Sequence, residues 1–382
     1  MTGIRQLLLF AAAASAAGTC VGDAPLGAGA IERMLNSQTS GSPRAYAKAV
    51  EEVAVDAKRG QPLQRFLIAL ASRDADAVPA ARLPARERET YFADSRPVIR
   101  RLAEERDNPL AWYLLSLDAG DTNLLRRAAD GGNVQALNAW GTTLLNLAFN
   151  ASESKVQETA RCLDAVACFE KAAGQGDANG LYNLGMAYAR GLGVKRDDTK
   201  AFDCFRTAAE KGHPEAINSL GWFFREGRVF AKDLELAAKW FEKSASYGNP
   251  YGQLNWGLAL QRGEGVTRDA AAAAEQFLRA AEGGCIEAMD ARGVALARGD
   301  GVPADEPGAV KWFEKAAAHG YPPAMENLAE CYARGRGVPE DNRLALVWKF
   351  RSRAARGDRA AAAWLKQNDP AETKKNNDED HE

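Results

Sequence analysis

The chain has 382 residues, 46% hydrophobic, 26% charged and 8% aromatic, which allows an extended core but offers few of the β-branched and aromatic residues that sheets favour. Lysine and arginine total 49 against 51 aspartate and glutamate, a formal net charge of -2, which excludes bulk attraction to nucleic acid or to an anionic membrane. Alanine-rich helix is the expected class.

Arg5 stands before an apolar run from Leu7 to Ala17 that closes on the small residues Ala14-Ser15-Ala16-Ala17-Gly18. That order of charge, apolar stretch and small residues is the order of a secretory signal. The run is shorter than the roughly 20 residues a membrane span takes. Residues 1–20 are therefore assigned to a leader, with cleavage after Ala16 or Ala17. Two other fates are an apolar helix that stays with the protein, and a lipid anchor at Cys20. The anchor is disfavoured because Ala17 stands where a leucine is usual and Thr19 where a small residue is usual.

Residues 21–107 read as an N-terminal helical region. "YAKAVEEVAVDAKRG" and "QRFLIALASRD" have helical spacing, and "VPAARLP", Val78 to Pro84, breaks them. Degenerate hairpins that extend or cap the regular repeats are expected there. Over 108–164, "RRAADGGNVQALNAWGTTL" aligns with the later "EKAAGQGDANGLYNLGMAY" at a spacing of 44 residues, which predicts a degenerate repeat with a longer hairpin.

From Ala165 onward the chain falls into gapless blocks of 36 residues. Ala165, Ala201, Ala237, Ala273 and Ala309 open the blocks, and Phe169, Phe205, Phe241, Phe277 and Phe313 follow four residues later. Gly176, Gly212, Gly248, Gly284 and Gly320 form one column, Gly191, Gly227, Gly263, Gly299 and Gly335 another, and Asp197, Asp233, Asp269, Asp305 and Asp341 a third. Within the first block, Ala165, Phe169, Ala172 and Ala173 mark one helical stripe, and Leu181, Leu184 and Tyr188 a second, with Gly185 beside it. Each block is thus two short helices. Small residues in the Ala201 and Gly221 columns let helices approach, and the phenylalanine column fills the space between successive hairpins.

The loop "ARGLGVKRD" could suggest a phosphate cradle, but it recurs as "LQRGEGVTRD", "LARGDGVPAD" and "YARGRGVPED" with a helix on both sides, whereas a phosphate loop follows a strand. It is a turn: the first glycine ends one helix in the left-handed conformation and the aspartate caps the next. The second block has "REGRVFAKD" and lacks the second glycine, so a different turn is expected there.

The pattern of Ala, a Trp/Phe pair, "KAA", "LG", Tyr, "G.GV" and Asp at this spacing resembles the Sel-one-like repeat family, a branch of the tetratricopeptide superfamily. The resemblance covers five full repeats over 165–344 and a partial one or cap over 345–367, with about one residue inserted; the polar tail, 368–382, is expected to be disordered. Departures are Arg292 for a leucine, Ala329 for a glycine, and Leu260 and Leu296 for tyrosines. The fold implied is all-α, an α-solenoid of stacked helix-turn-helix hairpins.

Nothing points to catalysis, and no catalytic, cofactor-binding or metal residue is assigned. His213, His319 and His381 are the only histidines, and no Cys or His spacing suits a metal. Ser152 and Lys155 spell S-x-x-K, but no K-T-G follows, so the match is read as chance. Some cysteine-rich relatives in this family are linked to β-lactam binding or hydrolysis, with a disulfide in each hairpin, and a β-lactamase-like enzyme is the alternative reading. Here Cys168 and Cys204 share the column of Trp240 and Trp312, about one repeat apart and beyond the ~7 Å reach of a bridge. Cys162, Cys285 and Cys331 lie outside that column. Isolated buried thiols are expected.

What the resemblance implies is a protein-binding scaffold whose partner, another protein or a peptide segment, lies on the concave face. A structural envelope protein without a specific ligand is a third reading. By resemblance the inward positions are Asn179, Tyr182, Met186, Asn218, Trp222, Tyr251, Leu254 and Leu258, then Glu287, Asp290, Glu326 and Glu330. The groove should be apolar and aromatic at one end and acidic at the other. Arg190, Arg262, Arg298 and Arg334 share a column just before the turn glycine, where they suit the helix C-terminus. No nucleic-acid partner or transmembrane anchor is expected, and the location is periplasmic or secreted, with an outer-membrane lipoprotein as the minor variant.

Overall fold

The structure, a computed structural model, describes residues 83–150 and 155–369 together with Arg65, Phe66 and Ala69. The leader, Cys20, Ser152 and the tail from 370 lie outside the described residues, as does most of the region before Leu83. The described residues form helices and turns with no strand, in the stacked hairpins of an α-solenoid. They divide into two bodies, Met1–Leu220 and Gly221–Glu382.

In the first body, Pro84 leads into α1 (Ala85–Arg106), followed by α2 (Pro109–Ala119) and α3 (Thr122–Asp130). The turn after α1 has no glycine: Asp107 takes the left-handed conformation, φ 44, which aspartate tolerates better than most residues. Its carboxylate accepts from Trp112 Nε1 at 2.8 Å and from Arg127 Nη2 at 2.9 Å. The Arg127 guanidinium lies over the Trp112 ring at 4.1 Å. Six consecutive residues of α2, Ala111 to Ser116, are buried, as suits a helix enclosed on all sides. Phe66 and Phe92 meet edge to face in the same core at 5.5 Å.

The hairpin α4 (Val134–Asn150) and α5 (Lys155–Gly174) spans helices of 17 and 20 residues. The helices after it, α6 (Ala178–Arg190) and α7 (Asp198–Glu210), have 13 each. The boundary between the bodies falls within α8 (Pro214–Glu226). The second body continues with α9 (Leu234–Ser246), α10 (Pro250–Arg262), α11 (Ala270–Glu282), α12 (Ile286–Arg298), α13 (Glu306–Ala318), α14 (Pro322–Arg334), α15 (Asn342–Ala355) and α16 (Arg359–Asn368).

Local chemistry sets these boundaries. Asp197, Asp233, Asp269, Asp305 and Asp341 are the N-caps of α7, α9, α11, α13 and α15, each accepting from the amide three residues on at 2.8–3.0 Å. Gly191, Gly263, Gly299 and Gly335 end their helices in the left-handed conformation. The second glycine has a steric reason that the sequence did not supply. A Cβ on Gly265 would stand 2.0 Å from the Leu234 carbonyl oxygen, at the start of its own repeat's first helix. Val229 replaces that glycine in the second block and does not adopt positive φ. The turn differs at that residue but keeps the hydrogen bonds of the others, Arg228 N–H to the Phe223 carbonyl and Asp233 N–H to the Phe224 carbonyl, and Phe230 after it stacks on Phe224 at 5.8 Å.

Hairpins lock to each other through the phenylalanine column. A Cβ on Gly185 would lie 2.8 Å from Phe205 Cε1, and one on Gly257 would lie 2.7 Å from Phe277 Cε1. Both rings are 1% exposed. α15 starts in register, capped by Asp341, but runs to 14 residues, so the inserted residue is taken up inside that helix. Phe350 stacks on Trp364 of α16 at 4.1 Å.

Candidate functional site

The residues expected to face a partner lie on the second helix of each hairpin. In the first body, Tyr182 of α6 is half-buried, tilted against Phe205 at 5.7 Å and stacked on His213 at 4.6 Å with 20° between the ring planes. Asn179 Oδ1 lies 3.2 Å from His213 Nε2. Met186 and Asn218 are half-buried on α6 and α8. Burial pushes the Tyr182 hydroxyl above its ordinary range, with Glu215 adding to the shift.

A polar ladder that the sequence did not announce runs beside these residues. Asn183 Nδ2 donates to Asn138 Oδ1 at 3.3 Å, and Asn138 Nδ2 donates to Asp177 Oδ2 at 2.8 Å. The same Asp177 oxygen caps α6 through the Gly180 amide at 2.7 Å. One chain of hydrogen bonds thus ties α4 to α6 and its N-cap at their polar face.

In the second body the picture departs from expectation. Trp222 is half-buried, its ring edge-on to Phe241 at 6.0 Å, and the Arg225 guanidinium lies 4.9 Å from its centre. Its exposure is largely accounted for within the protein. Leu254 is corrected outright: at 9% exposure it packs in the core with Phe277 and Ala280, because its side chain turns toward the next hairpin. Leu258 is half-buried against the same core. Beside it, Arg225, Leu234, Phe241, Asn255 and Glu264 line a shallow indentation, with Arg225 and Glu264 paired at 3.2 Å.

The acidic end is partly neutralised. Glu326 accepts from Ser352 Oγ at 3.2 Å and pairs with Arg356 at 2.7 Å, while Glu330 pairs with Arg334 at 2.8 Å and Arg336 at 3.6 Å. Asp290 accepts from Asn327 Nδ2 at 2.7 Å, and burial raises its carboxyl above the usual range against that hydrogen bond. Glu287 differs from these. It is exposed, meets no cation among the described residues, and accepts from the Cys285 thiol at 3.4 Å. Tyr251 stands near it, 53% exposed. Burial raises the hydroxyls of Tyr251 and Tyr321, and the charges of Glu287 on the first, and of Asp290 and Glu287 on the second, add to it. Two tyrosines and two carboxylates without a cation thus share one surface on α10, α12 and the start of α14.

The column of Arg190, Arg262, Arg298 and Arg334 occupies the last residue of α6, α10, α12 and α14, where positive charge meets the unpaired carbonyls. All five described cysteines are free, so the paired pattern of the β-lactam-linked relatives is not present among the described residues. Burial pushes the Cys204 thiol up to about 11 and the Cys285 thiol up to about 12. Among the described residues no group of three or more His, Cys, Asp or Glu could hold a metal, and no helix is long and apolar enough to cross a membrane.

The contacts of His213, with Asn179, Tyr182 and the Ala216 amide, are what sequence reasoning passed over. The signal was the column of His213: it stands where Asp177 and Asn249 cap the second helices of neighbouring hairpins.

The Sel1 repeat family model matches residues 163–177, 178–213, 214–249, 250–285, 286–321 and 322–348. Each full segment runs from a second helix through the first helix of the next hairpin. A Sel1 repeat protein from Oxalobacter formigenes is 28% identical over 60% of this chain and 94% of its own, with a TM-score of 0.53. The protective antigen c5321 of uropathogenic Escherichia coli, which has an SLR fold, is 24% identical over 83% of this chain and 66% of its own, with a TM-score of 0.49. No curated protein matches the chain.

Proposed function

We propose that the chain, whose residues 163–348 match the Sel1 repeat family model, is a non-catalytic scaffold that holds a basic segment of another protein against its second helices. The observation that carries the reading is Glu287, whose exposed carboxylate meets no cation among the described residues, while Glu326 and Glu330 are paired with arginines. The exposed Tyr251 beside it supplies aromatic area of the kind that anchors interfaces. A lysine or arginine of a partner would neutralise Glu287 and cover that ring.

Arg5 and the run from Leu7 to Ala17 support export, and with it a periplasmic or secreted location. An intact mass of the native protein tests this part: a mature start near residue 17 to 20 is expected, and retention of Met1 would overturn it. A photo-crosslinking side chain at Tyr251, with Lys239 on α9 as control, tests the binding face in the native host. Adducts from Tyr251 that disappear with Glu287→Lys are expected. Equal labelling from both positions would refute the face.

A further inference from the structure

His213 lies between Gly212 and Pro214, at the start of α8. In the neighbouring hairpins the same position is a cap with an oxygen acceptor: Asp177 takes the Gly180 amide and Asn249 the Gly252 amide, both at 2.7 Å. His213 caps with a ring nitrogen, the Ala216 N–H donating to Nδ1 at 3.2 Å. A ring nitrogen that accepts carries no proton, so the proton of the neutral ring is on Nε2. Nε2 stands 3.2 Å from Asn179 Oδ1, which can only accept. Both contacts are satisfied together by one species, the neutral ring protonated at Nε2.

The surroundings hold the ring in that state. Its side chain is 9% exposed and stacks on Tyr182 of α6. Burial lowers its proton affinity below the ordinary value, and the carboxylates of Glu215 and Asp177 oppose that shift. The groups that face it are Glu215 from α8, whose Oε2 is 3.3 Å from Nδ1, Asp177 from the N-cap of α6, and Tyr182 and Asn179 from α6 itself. Asp177 is already engaged by Asn138 and the Gly180 amide. Glu215 is thus the carboxylate placed to receive a new N–H.

We propose that His213 is a proton-operated latch: neutral, it caps α8 and braces Asn179 and Tyr182, and on taking a proton from solvent at Nδ1 it releases the Ala216 amide and donates to Glu215. The first turn of α8 then has no side-chain cap, and the stack on Tyr182 shifts as the ring turns. The consequence for partner capture rests on the scaffold reading, since Asn179 and Tyr182 belong to the face assigned to it. The latch itself can be read without a partner. The folded ring binds its proton less well than the unfolded one, so the stability it confers is complete above about 6.5 and is lost as pH falls through that value toward the folded one.

Nitrogen-15 resonances of labelled histidine in the full chain give the tautomer, and amide exchange over residues 214–217, corrected for its intrinsic pH dependence, gives the cap. At about pH 8 the neutral ring should carry its proton on Nε2. As pH is lowered from about 8 until the nitrogen-15 resonances report the charged ring, corrected exchange should rise about tenfold, the ratio expected for loss of a helix cap. His213→Asn, which keeps an acceptor as Asn249 does, should abolish that rise. A proton on Nδ1 at the higher pH, unchanged exchange, or an equal rise in His213→Asn would each overturn the latch. Should the variant fail to fold, the wild-type tautomer and exchange decide alone. Loss of crosslinking at Tyr251 would refute the binding face and leave these readings untouched.

Discussion

One methyl group added at Gly257 should be felt through the second body. In Gly257→Ala the new Cβ would stand 2.7 Å from Phe277 Cε1 and 2.9 Å from Cδ1, with the Ala273 carbonyl oxygen 3.3 Å away. Phe277 is 1% exposed and enclosed by its own core, so the ring has no open side to move into. Two effects oppose each other. Alanine favours a helix over glycine by about 1 kcal/mol, whereas overpacking a closed core costs about 1–3 kcal/mol. A carbon placed this close to an enclosed ring belongs at the upper end, which leaves a net loss of about 1–2 kcal/mol. Gly174, the last residue of α5, has nothing within 4 Å of an added Cβ. Gly174→Ala therefore keeps only the gain, at most about 1 kcal/mol. Urea unfolding followed by helical circular dichroism compares both variants with the wild type. Adding Phe277→Leu to Gly257→Ala should cost less than the two single changes summed, because the smaller side chain vacates the contested space. An additive double variant, or a Gly257→Ala protein as stable as wild type, would refute the close approach of glycine and ring.

Asp269→Ala should destabilise by about 0.5–2 kcal/mol, since the carboxylate accepts from the Ala272 amide at 2.9 Å; Asp269→Asn should restore most of it in the same unfolding assay. Cys204 and Cys285, pushed up to about 11 and about 12, should resist alkylation in the native protein at neutral pH. Denaturation without reductant should expose all five described thiols, and a disulfide-linked peptide between any two would contradict this. Trp222→Ala should lower stability by about 1–3 kcal/mol, because the ring packs on Phe241 beneath Arg225. An unchanged unfolding midpoint would show that this ring serves only the surface.

The period, the two helices per hairpin and the turns were legible because each depends on chemistry within a few residues. Asp233 caps α9 by reaching an amide three positions away, and Gly263 ends α10 because its own backbone takes a positive φ. Even the meeting of Gly257 with Phe277 followed from columns, since a fixed period places the next hairpin at a fixed offset. The surface did not follow in that way. Leu254 and Leu258 lie one turn apart in the sequence, yet the first is core and the second half-buried, because the adjacent hairpin covers them unequally. Glu326 and Glu287 look alike as acidic positions, but only the tertiary structure brings Arg356 to the first and, among the described residues, no cation to the second. His213 read as a turn residue between Gly212 and Pro214, and its chemistry comes from Tyr182 and Asn179 in the preceding hairpin. A repeat pattern encodes what each residue does to its own helix, whereas charge pairing and proton affinity depend on side chains that reach across from the neighbouring one.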